Sequence, residues 1–556
     1  MAFVHSFALT ERNHNAMGTQ QIGSAARVRR GNRRWVSGRR FRVLLCASGM
    51  CFMIMLDSNI VAVSLPSIAR DLGATFSDIE WVVSAYVLTF AALLMPSGAL
   101  ADRLGRRRIA LVGLSVFTLS SLLCGLAPGA LILNVARAVQ GIGAALQLSA
   151  ALAILGHEFR GPDRARAFGF WGTVIGVAVA LGPLVGGVIT SGFGWRWAFL
   201  VNVPIGATLV ALAAAVVEES RDPDAVRLDL GGMILFGGGL FCLVWALIDG
   251  NEAGWSSRPI LVKLAAAIAL FILFVAAERA QTRPMVDFSL FRRRTFLGAS
   301  VAMLGFASSA QVMMTYLPLY LQNAFGLGAA AAGFGMLPFA LPLFFCPQIA
   351  AALATRMSGR TLLTIGLAIV ALGNIATAAL IAANGTYAAI AVGMLVTGCG
   401  AGLLNGETAK VSMSVIPPER GGMASGIGGT LRFVGLVTGI TGLGAVLASG
   451  TRSHFVRAIA SLGLSGSLAG GARAMVSRII SGDIDGIVDR VAPAVRGAMI
   501  DVSRGSFAAG FTIVLVVAGG IATLAALLTA LLVNAAETAP ARQPHMETSH
   551  LPEVLD

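Results

Sequence analysis

Charge is scarce in this sequence: Asp, Glu, Lys and Arg make up only 12% of its 556 residues, whereas hydrophobic residues make up 56%. A soluble domain carries about 25% charged residues. The mean hydropathy of +0.80 agrees with this contrast. The composition therefore excludes an ordinary water-soluble protein and indicates a chain that lies in a lipid bilayer.

Histidine is also scarce, with six residues in all. Four lie near the two ends of the chain, and His157 and His454 fall in predicted loops without a paired nucleophile. The six cysteines lie inside apolar segments and lack metal-ligand spacing. We therefore expect no catalytic residues, no metal site and no cofactor, which argues against an intramembrane enzyme. We expect no receptor or sensor either, because the apolar chain has no room for a soluble signalling domain.

Acidic residues are outnumbered, 27 against 41 Lys and Arg, which gives a formal net charge of +14. Such an excess can indicate nucleic-acid binding, but these arginines fall in the N-terminal tail and in short loops, not on an amphipathic face. We expect no nucleic-acid partner and assign the charges to orientation in the bilayer, with the tail in the cytosol. The tail arginines are Arg27, Arg29, Arg30, Arg33, Arg34, Arg39, Arg40 and Arg42.

What the sequence does have is a series of apolar runs, each long enough to cross about 30 Å of hydrocarbon as a helix. Predicted inner loops such as DRLGRRR and HEFRGPDRAR are basic, and predicted outer loops such as LAPGA and AANGTY are not. This alternation supports an even number of membrane spans, with both termini in the cytosol. The fourteen predicted spans are 43–67, 81–101, 109–127, 131–155, 168–190, 197–217, 230–248, 260–277, 296–320, 330–354, 362–383, 387–411, 424–448 and 507–533.

The two halves of the chain repeat each other, because the string from Pro96 to Arg106 has a degraded counterpart from Pro347 to Arg360. Two six-helix bundles with an inserted helix pair follow from this repeat. In the outer segment 449–506, apolar residues at nearly helical spacing predict an interfacial or hairpin helix, not a further span. The predicted parts are a disordered basic tail 1–42, bundle 43–218, inserted pair and linker 219–294, bundle 295–533 with its outer loop 449–506, and tail 534–556.

A glycine- and arginine-rich loop follows the second span, and Thr355 replaces the expected acid in its second copy. Glycines allow a tight turn and close helix approach, and the acid can pair with basic groups at helix ends. The loop resembles motif A of the major facilitator superfamily, which implies a gating latch; a basic loop that only orients the chain is the alternative. The loop residues are Gly98, Asp102, Arg103, Gly105 and Arg106.

Arg137 lies within the fourth apolar run, where inserting its charge costs about 2.5–3.5 kcal/mol. It should therefore face the interior of the bundle, unless its side chain reaches back to the interface. The string from Arg137 to Gly143 is similar to motif B of the superfamily. That resemblance implicates Arg137 in proton coupling.

The fifth span carries the small residues and proline of the sequence Gly182-Pro183-Leu-Val-Gly186-Gly187. Small residues let membrane helices touch, and a proline bends them. The string resembles motif C, which is associated with antiporters, although Ala178 stands where that motif has a further glycine. Export by exchange is the function that this resemblance implies.

Asp57 lies deep in the first span, where ionisation is costly, so that proton binding can be coupled to cargo. The surrounding string from Leu56 to Pro66 is similar to the fourteen-span drug:proton antiporters of the EmrB/QacA type. A structural aspartate bonded to a neighbouring helix is the alternative. Similar strings occur at Trp195–Gly206, Arg283–Phe296 and Leu317–Gln322.

Three further charged residues lie in apolar spans of the second half: Glu407, Lys410 and Arg432. Glu407 and Lys410 are three residues apart on a predicted helix and can simply pair. Glu407 is otherwise a candidate for a second titrating or cation-recognising group. Arg432 falls where the resembling family has an arginine, and we count it with Asp57, Arg137 and Glu407 as a candidate coupling or substrate residue.

The resemblance implies a major facilitator fold in the plasma (inner) membrane and a proton-coupled efflux transporter of the multidrug type. It would export small lipophilic or cationic compounds by alternating access, through a cavity lined by Phe, Met and an acid or two. We expect a monomer driven by the proton gradient, with a periplasmic adaptor and outer-membrane channel in a Gram-negative host. A dedicated exporter of a metabolite, siderophore or lipid is the alternative, because one fold serves many cargos.

Overall fold

The computed structural model describes residues 38–221, 229–281, 284, 286–416, 421–461, 472–488 and 493–539, and every regular element in them is a helix. Fourteen helices are long and apolar enough to cross a membrane, which confirms the predicted count. Most of the N-terminal tail lies outside the described residues. The spans, numbered α1 to α14, are Arg39–Leu72, Phe76–Leu104, Arg106–Gly125, Ala130–Glu158, Arg166–Phe193, Arg196–Val216, Leu230–Asn251, Arg258–Ala280, Arg294–Asn323, Ala329–Leu353, Gly359–Ala382, Tyr387–Ser414, Gly426–Ser461 and Arg496–Leu532.

In both halves a glycine lets two helices pack with their backbones in close contact. A Cβ on Gly113 of α3 would lie 2.6 Å from the backbone nitrogen of Gln147 in α4. In the second half, a Cβ on Gly373 of α11 would lie 2.5 Å from the backbone nitrogen of Thr397 in α12. Only glycine permits backbones this close. The repetition of this contact agrees with the repeat that the sequence shows.

The helix pair α7–α8 lies at the side of the molecule, where α7 packs against α2 and α13. Asn251 at the end of α7 donates its side-chain amide to the carbonyl of Ala445 in α13 at 2.8 Å. The rings of Phe241 and Trp81 in α2 stand 6.0 Å apart. Helix α8 is mostly exposed, as a helix that faces lipid would be. The pair therefore covers the seam at which α2 of the first half meets α13 of the second.

Helix α9 contains one turn of π-helix, at Ala307–Gln311. Asn374 of α11 donates to the carbonyl of Ser309 in this turn at 3.1 Å. Such turns are rare and frequently occur at functional sites. The π-turn directs Gln311 into the space between the two halves, where the cavity described below lies.

The two ends of the helical bundle differ. At the terminal end, α1 begins and α14 ends. At the opposite end, here the cap end, the ten-residue helix Ala472–Ser481 lies across the molecule. Helices α13 and α14 both extend beyond the predicted spans into the segment 449–506, because helical turns continue past the apolar runs.

The helix Ala472–Ser481, here the cap helix, contacts both halves. Its Ser477 hydroxyl accepts from the backbone N–H of Phe76 in α2 at 2.9 Å. Asn323 of α9 donates to the carbonyl of Ile480 at 2.7 Å. A short helix was predicted in this segment, but its apolar residues Ile479 and Ile480 are buried against protein instead of facing an interface. The cap helix thus ties the halves together at this end.

Candidate functional site

Asp57 and Arg137 form an ion pair inside the first half. The Arg137 Nη1 atom lies 2.7 Å from Asp57 Oδ2, and the side chains are 1% and 0% exposed, respectively. The alternative that Arg137 reaches back to the membrane interface is therefore wrong. Because a lone charge in this environment is costly, each residue supplies the neutralising partner that the other needs.

Amide side chains complete the surroundings of the Asp57 carboxylate. Asn202 of α6 donates to Asp57 Oδ1 at 2.7 Å, and Gln140 of α4 donates to the same oxygen at 3.0 Å. Gln140 also accepts from Arg137 at 2.6 Å and donates to Ser121 of α3 at 2.7 Å. The carboxylate therefore accepts from three side chains, those of Arg137, Gln140 and Asn202. Four helices therefore meet in one polar network within an apolar bundle.

Aromatic rings cover the Arg137 guanidinium. Its Cζ lies 4.2 Å from the ring centroid of Tyr86 in α2 and 5.7 Å from that of Phe199 in α6. The negative face of an aromatic ring attracts a cation, most strongly where water is excluded. Gly141 permits this arrangement, because a Cβ there would overlap the Tyr86 carbonyl of α2. The motif B glycine therefore brings α4 and its arginine close to α2.

A central cavity lies between the two halves. Helices α1, α2, α4 and α5 line it from the first half, and α9, α10, α12 and α13 line it from the second. Met and Phe side chains form part of its wall, as predicted: Met55, Met314, Phe306, Phe339 and Phe433. Its polar lining residues are Ser58, Asn59, Gln311, Thr315, Asn405, Tyr86, Arg137 and Arg432.

The expected acid is missing from this wall. Asp57 lies behind it, on the far side of Arg137, and within the described chain no carboxylate lines the cavity. Arg432 does line it, and its Nε donates to the amide oxygen of Gln311 at 3.0 Å. Its guanidinium also lies 5.8 Å from the ring of Phe306. Arg137 and Arg432 therefore face one cavity from opposite halves.

Glu407 lies outside the cavity. It pairs with Lys410, as the simpler interpretation of their spacing predicts, and its side chain is 5% exposed. It begins a short helix, Glu407–Ser414, near the terminal end. The structure therefore does not bring Glu407 together with Asp57, Arg137 and Arg432.

The motif A loop forms its contacts at the terminal end of the first half. Asp102 accepts from Arg106 at 2.8 Å across the turn between α2 and α3. The carboxylate of Glu219, just after α6, accepts from the backbone N–H of Arg107 at 3.2 Å and so satisfies the first turn of α3. Arg103 is exposed. The gating role of these residues stays a prediction.

Gly105 and Gly98 of this loop differ in what surrounds them. Gly105 has a φ of +118°, and an added Cβ would overlap the Glu219 carboxylate. Gly98, which was expected to allow close helix approach, has no atom within 4 Å of an added Cβ. The contact predicted at Gly98 is therefore absent from this part of the structure, because α2 has no close neighbour there.

We expect Gly105→Ala to lower the free energy of unfolding by about 1–3 kcal/mol, because a residue with a Cβ is strained at this positive φ. Thermal unfolding of the purified protein in detergent measures this. Gly98→Ala is the matched control, and we expect it to leave stability unchanged or raise it by up to about 1 kcal/mol, since alanine favours a helix. Equal losses in the two variants would contradict the assignment.

The motif C residues join α5 to two other helices. A Cβ on Gly186 would lie 2.7 Å from Ile60 Cα in α1, and one on Gly182 would overlap Asn59. On the other side of α5, a Cβ on Gly187 would lie 2.5 Å from the Ala329 carbonyl oxygen of α10. Gly333 of α10 packs in turn on the carbonyl of Pro183. These small residues therefore form a close seam between the two halves near the cap end.

The sequence analysis assigned no partners to several residues of this site. Asn202 and Gln140 lie within the strings Trp195–Gly206 and Arg137–Gly143, and Ser121 and Tyr86 were not considered. Glu80 precedes the predicted span 81–101, but it is 5% exposed and lies beside Gly444 of α13. Polar residues inside apolar spans were the available signal. Their partners could not be found, because they lie on other helices.

Comparisons with known proteins agree with this architecture. The family model described as Major Facilitator Superfamily matches residues 47–440. "Multidrug resistance protein Stp" of Mycobacterium tuberculosis (strain CDC 1551 / Oshkosh) is 36% identical over 409 residues, 73% of this chain and 75% of that protein. "Methylenomycin A resistance protein" of Streptomyces coelicolor is 35% identical over 441 residues, 78% of this chain and 91% of that protein.

Solved structures show the same fold at low sequence identity. A bacterial homolog of the human lysosomal transporter Spinster, inward-facing and occupied, has a TM-score of 0.60 at 17% identity, covering 90% of this chain and 99% of its own. A D-xylose-proton symporter has a TM-score of 0.57 at 13% identity, covering 90% and 99%. These two likenesses concern the fold alone.

Proposed function

The chain belongs to the major facilitator superfamily of membrane transporters, and on this premise we propose that it is a proton-coupled drug efflux transporter that works by alternating access. Its relatives include proteins named for multidrug resistance and antibiotic export. The observation that carries the proposal is the buried Asp57–Arg137 pair, whose arginine lines the central cavity. This arrangement places a titratable group one side chain away from the cargo.

Asp57 is the proposed proton site. A proton on its carboxylate removes the charge that holds Arg137, so that proton binding changes the charge balance of the cavity wall. Asn202 and Gln140 hold the carboxylate at a fixed position whichever form it takes, because an amide can donate to a carboxylate or to the carbonyl oxygen of a carboxylic acid. Arg137 then transmits the protonation of Asp57 to the cavity.

The structure corresponds to a state closed at the cap end. Gln322 of α9 donates to the carbonyl of Val63 in α1 at 2.9 Å, which joins the halves there together with the motif C seam and the cap helix. Opening the cavity on this side requires these contacts to separate. In the proposed cycle, cargo loads while the cap end is closed and leaves when it opens.

We propose that the terminal end faces the cytosol across the plasma membrane, because eight arginines precede or begin α1 and the motif A loop is basic. The predicted bundles 43–218 and 295–533, with the inserted part 219–294, are the bodies that move. The motif A residues Asp102, Arg103 and Arg106 are the proposed latch at the cytosolic face.

One chain suffices for this mechanism, since both halves of the cavity wall come from it. We therefore propose a monomer. A periplasmic adaptor and an outer-membrane channel would be needed only in a cell with a second membrane, where cargo must cross a further barrier.

The test is transport by the purified protein in proteoliposomes under an imposed pH gradient, with a panel of chemically diverse antibiotics and dyes. We expect uptake into vesicles that are acidic inside, and its loss when a protonophore dissipates the gradient. Empty liposomes provide the baseline. Absence of gradient-dependent transport for the whole panel would exclude proton-coupled drug efflux.

A dedicated exporter of one metabolite is the second candidate. It is favoured by relatives named for single compounds, such as the "Probable actinorhodin transporter" of Streptomyces coelicolor, 32% identical over 419 residues. The same panel separates the candidates, because a dedicated exporter transports one chemical series whereas a multidrug transporter accepts several.

A further inference from the structure

The sign of the charge on the cavity wall determines which charge on the cargo it attracts. Of the 22 residues that line the cavity, two are arginines, and among the described residues none is an aspartate or glutamate. The nearest acid on α2, Glu80, lies about one helical turn beyond the lining residue Val83, beside Gly444 and the Tyr316 hydroxyl. The wall itself is therefore cationic.

The two arginines do not contribute equally. Arg137 lies 2.7 Å from the Asp57 carboxylate, which neutralises it. Arg432 makes no ion pair with any carboxylate of the described residues, and its side-chain partners there are the neutral Gln311 and the ring of Phe306. The net positive charge that faces the cavity therefore belongs to Arg432.

Local structure holds Arg432 in this position. Gln311 ends the π-turn of α9, and its amide oxygen accepts from Arg432 Nε. This hydrogen bond uses Nε and leaves the two terminal guanidinium nitrogens for another partner. The planar fork of these nitrogens matches the geometry of a carboxylate. Phe433, next in the chain, packs against Phe90 of α2 with ring centroids 4.1 Å apart and ring planes tilted by 34°, and so fixes this part of α13 against the first half.

We propose that the cavity selects lipophilic organic acids, with Arg432 as the counter-ion of the cargo carboxylate or phenolate and the Met and Phe side chains as the surface for its apolar body. This inference rests on the proposed efflux function and narrows its cargo from lipophilic or cationic compounds to acidic ones. A cation in the same place meets Arg432 without a compensating acid on the wall. Repulsion of this kind discriminates between cargos of similar shape.

The experiment measures binding to the purified protein in lipid nanodiscs with three anthracene probes that differ only in one substituent: a carboxylate, its methyl ester and a trimethylammonium. We expect the carboxylate to bind about tenfold more tightly than either of the others. Arg432→Gln removes this advantage, and Arg432→Lys keeps part of it, because lysine retains the charge but not the fork. Arg452→Gln is the matched control, an exposed arginine on the same helix outside the cavity.

We expect Asn405→Asp to shift the preference from the carboxylate probe toward the trimethylammonium probe. This change adds a carboxylate to the cavity wall without changing the shape of the wall. This variant should bind the trimethylammonium probe at least as tightly as the carboxylate. It keeps the test decisive if Arg432→Gln fails to fold, which thermal unfolding of each variant reveals. Tightest binding of the cation by the unmodified protein would overturn the proposal, as would an equal loss for all three probes in a folded Arg432→Gln variant.

Transport separates this inference from the function on which it rests. If neither the three probes nor any compound of the antibiotic and dye panel moves under a pH gradient while the binding order holds, drug efflux fails and the acid preference stands. If the ester and the cation are transported as well as the acid, and Arg432→Gln changes nothing, efflux stands and the preference is wrong.

Discussion

Replacing Asp57 by Asn should reduce pH-driven transport by at least about 100-fold, to the rate seen without a gradient. Asparagine has nearly the shape of a protonated aspartate, so Asn202 and Gln140 retain an oxygen to which they can donate. It cannot bind or release a proton in the working range of pH. Transport that is driven by protons therefore stops, whereas cargo binding in the cavity continues.

The change also leaves Arg137 buried without its counter-ion. Breaking a buried pair by removing one partner costs about 3–5 kcal/mol, and the bond from Arg137 to Gln140 offsets only part of this. A double variant, Asp57→Asn with Arg137→Gln, removes both charges. We expect it to be more stable to heat than Asp57→Asn alone and still inactive, which distinguishes loss of coupling from loss of fold.

Asp249→Asn is the matched control for this prediction. Asp249 also lies in a membrane-spanning helix and also pairs with a cation, Lys263, but both belong to the α7–α8 pair and are remote from the cavity wall. We expect its transport rate to stay within about twofold of the unmodified protein. Gradient-driven transport by Asp57→Asn at the normal rate would refute the role of Asp57, and so would an equal loss in Asp249→Asn.

The second large effect is expected from Gly187→Leu, in the seam between α5 and α10. A Cβ at this position would lie 2.5 Å from the Ala329 carbonyl oxygen and 3.1 Å from Ala330 Cα, both backbone atoms of α10 and well inside contact distance. The halves therefore cannot close at the cap end as they do here. Because alternating access needs both ends to close in turn, we expect transport to fall at least about tenfold.

Distance measurement tests the cause of that loss. Spin labels on Phe193 at the end of α5 and on Gly328 just before α10 report the separation of the halves at the cap end, and both positions are exposed. We expect a longer mean distance in Gly187→Leu. Gly192→Leu is the control, since a Cβ there meets no atom within 4 Å. An unchanged distance and normal transport in Gly187→Leu would show that the seam has no part in the cycle.

The span count and the candidate charges could be predicted from the sequence because each depends on local composition. An apolar run is a property of consecutive residues, and a charge such as Asp57 or Arg137 within one is conspicuous by itself. Their pairing was not predicted, since the two residues are 80 positions apart and meet only when α1 and α4 pack. For the same reason the roles of Asn202 and Ser121 needed the structure.

Burial was harder to predict than helix formation. Apolar residues at helical spacing predicted the cap helix but not the protein surface on which it lies, because spacing does not distinguish a face against lipid from a face against protein. Glu80 was placed outside a span, yet it is buried between α2 and α13. The prediction that an acid lines the cavity was wrong for the same reason. Asp57, in the first span, faces its own bundle and not the cavity.

The α7–α8 pair makes the two flanks of the transporter different within the plane of the membrane. The two halves meet along two seams, one formed by α2 and α13 and the other by α5 and α10. The pair lies over the first of these, fixed by the bond from Asn251 to Ala445. The first seam therefore has two further helices between it and the surrounding lipid, which makes the two flanks of the transporter unequal.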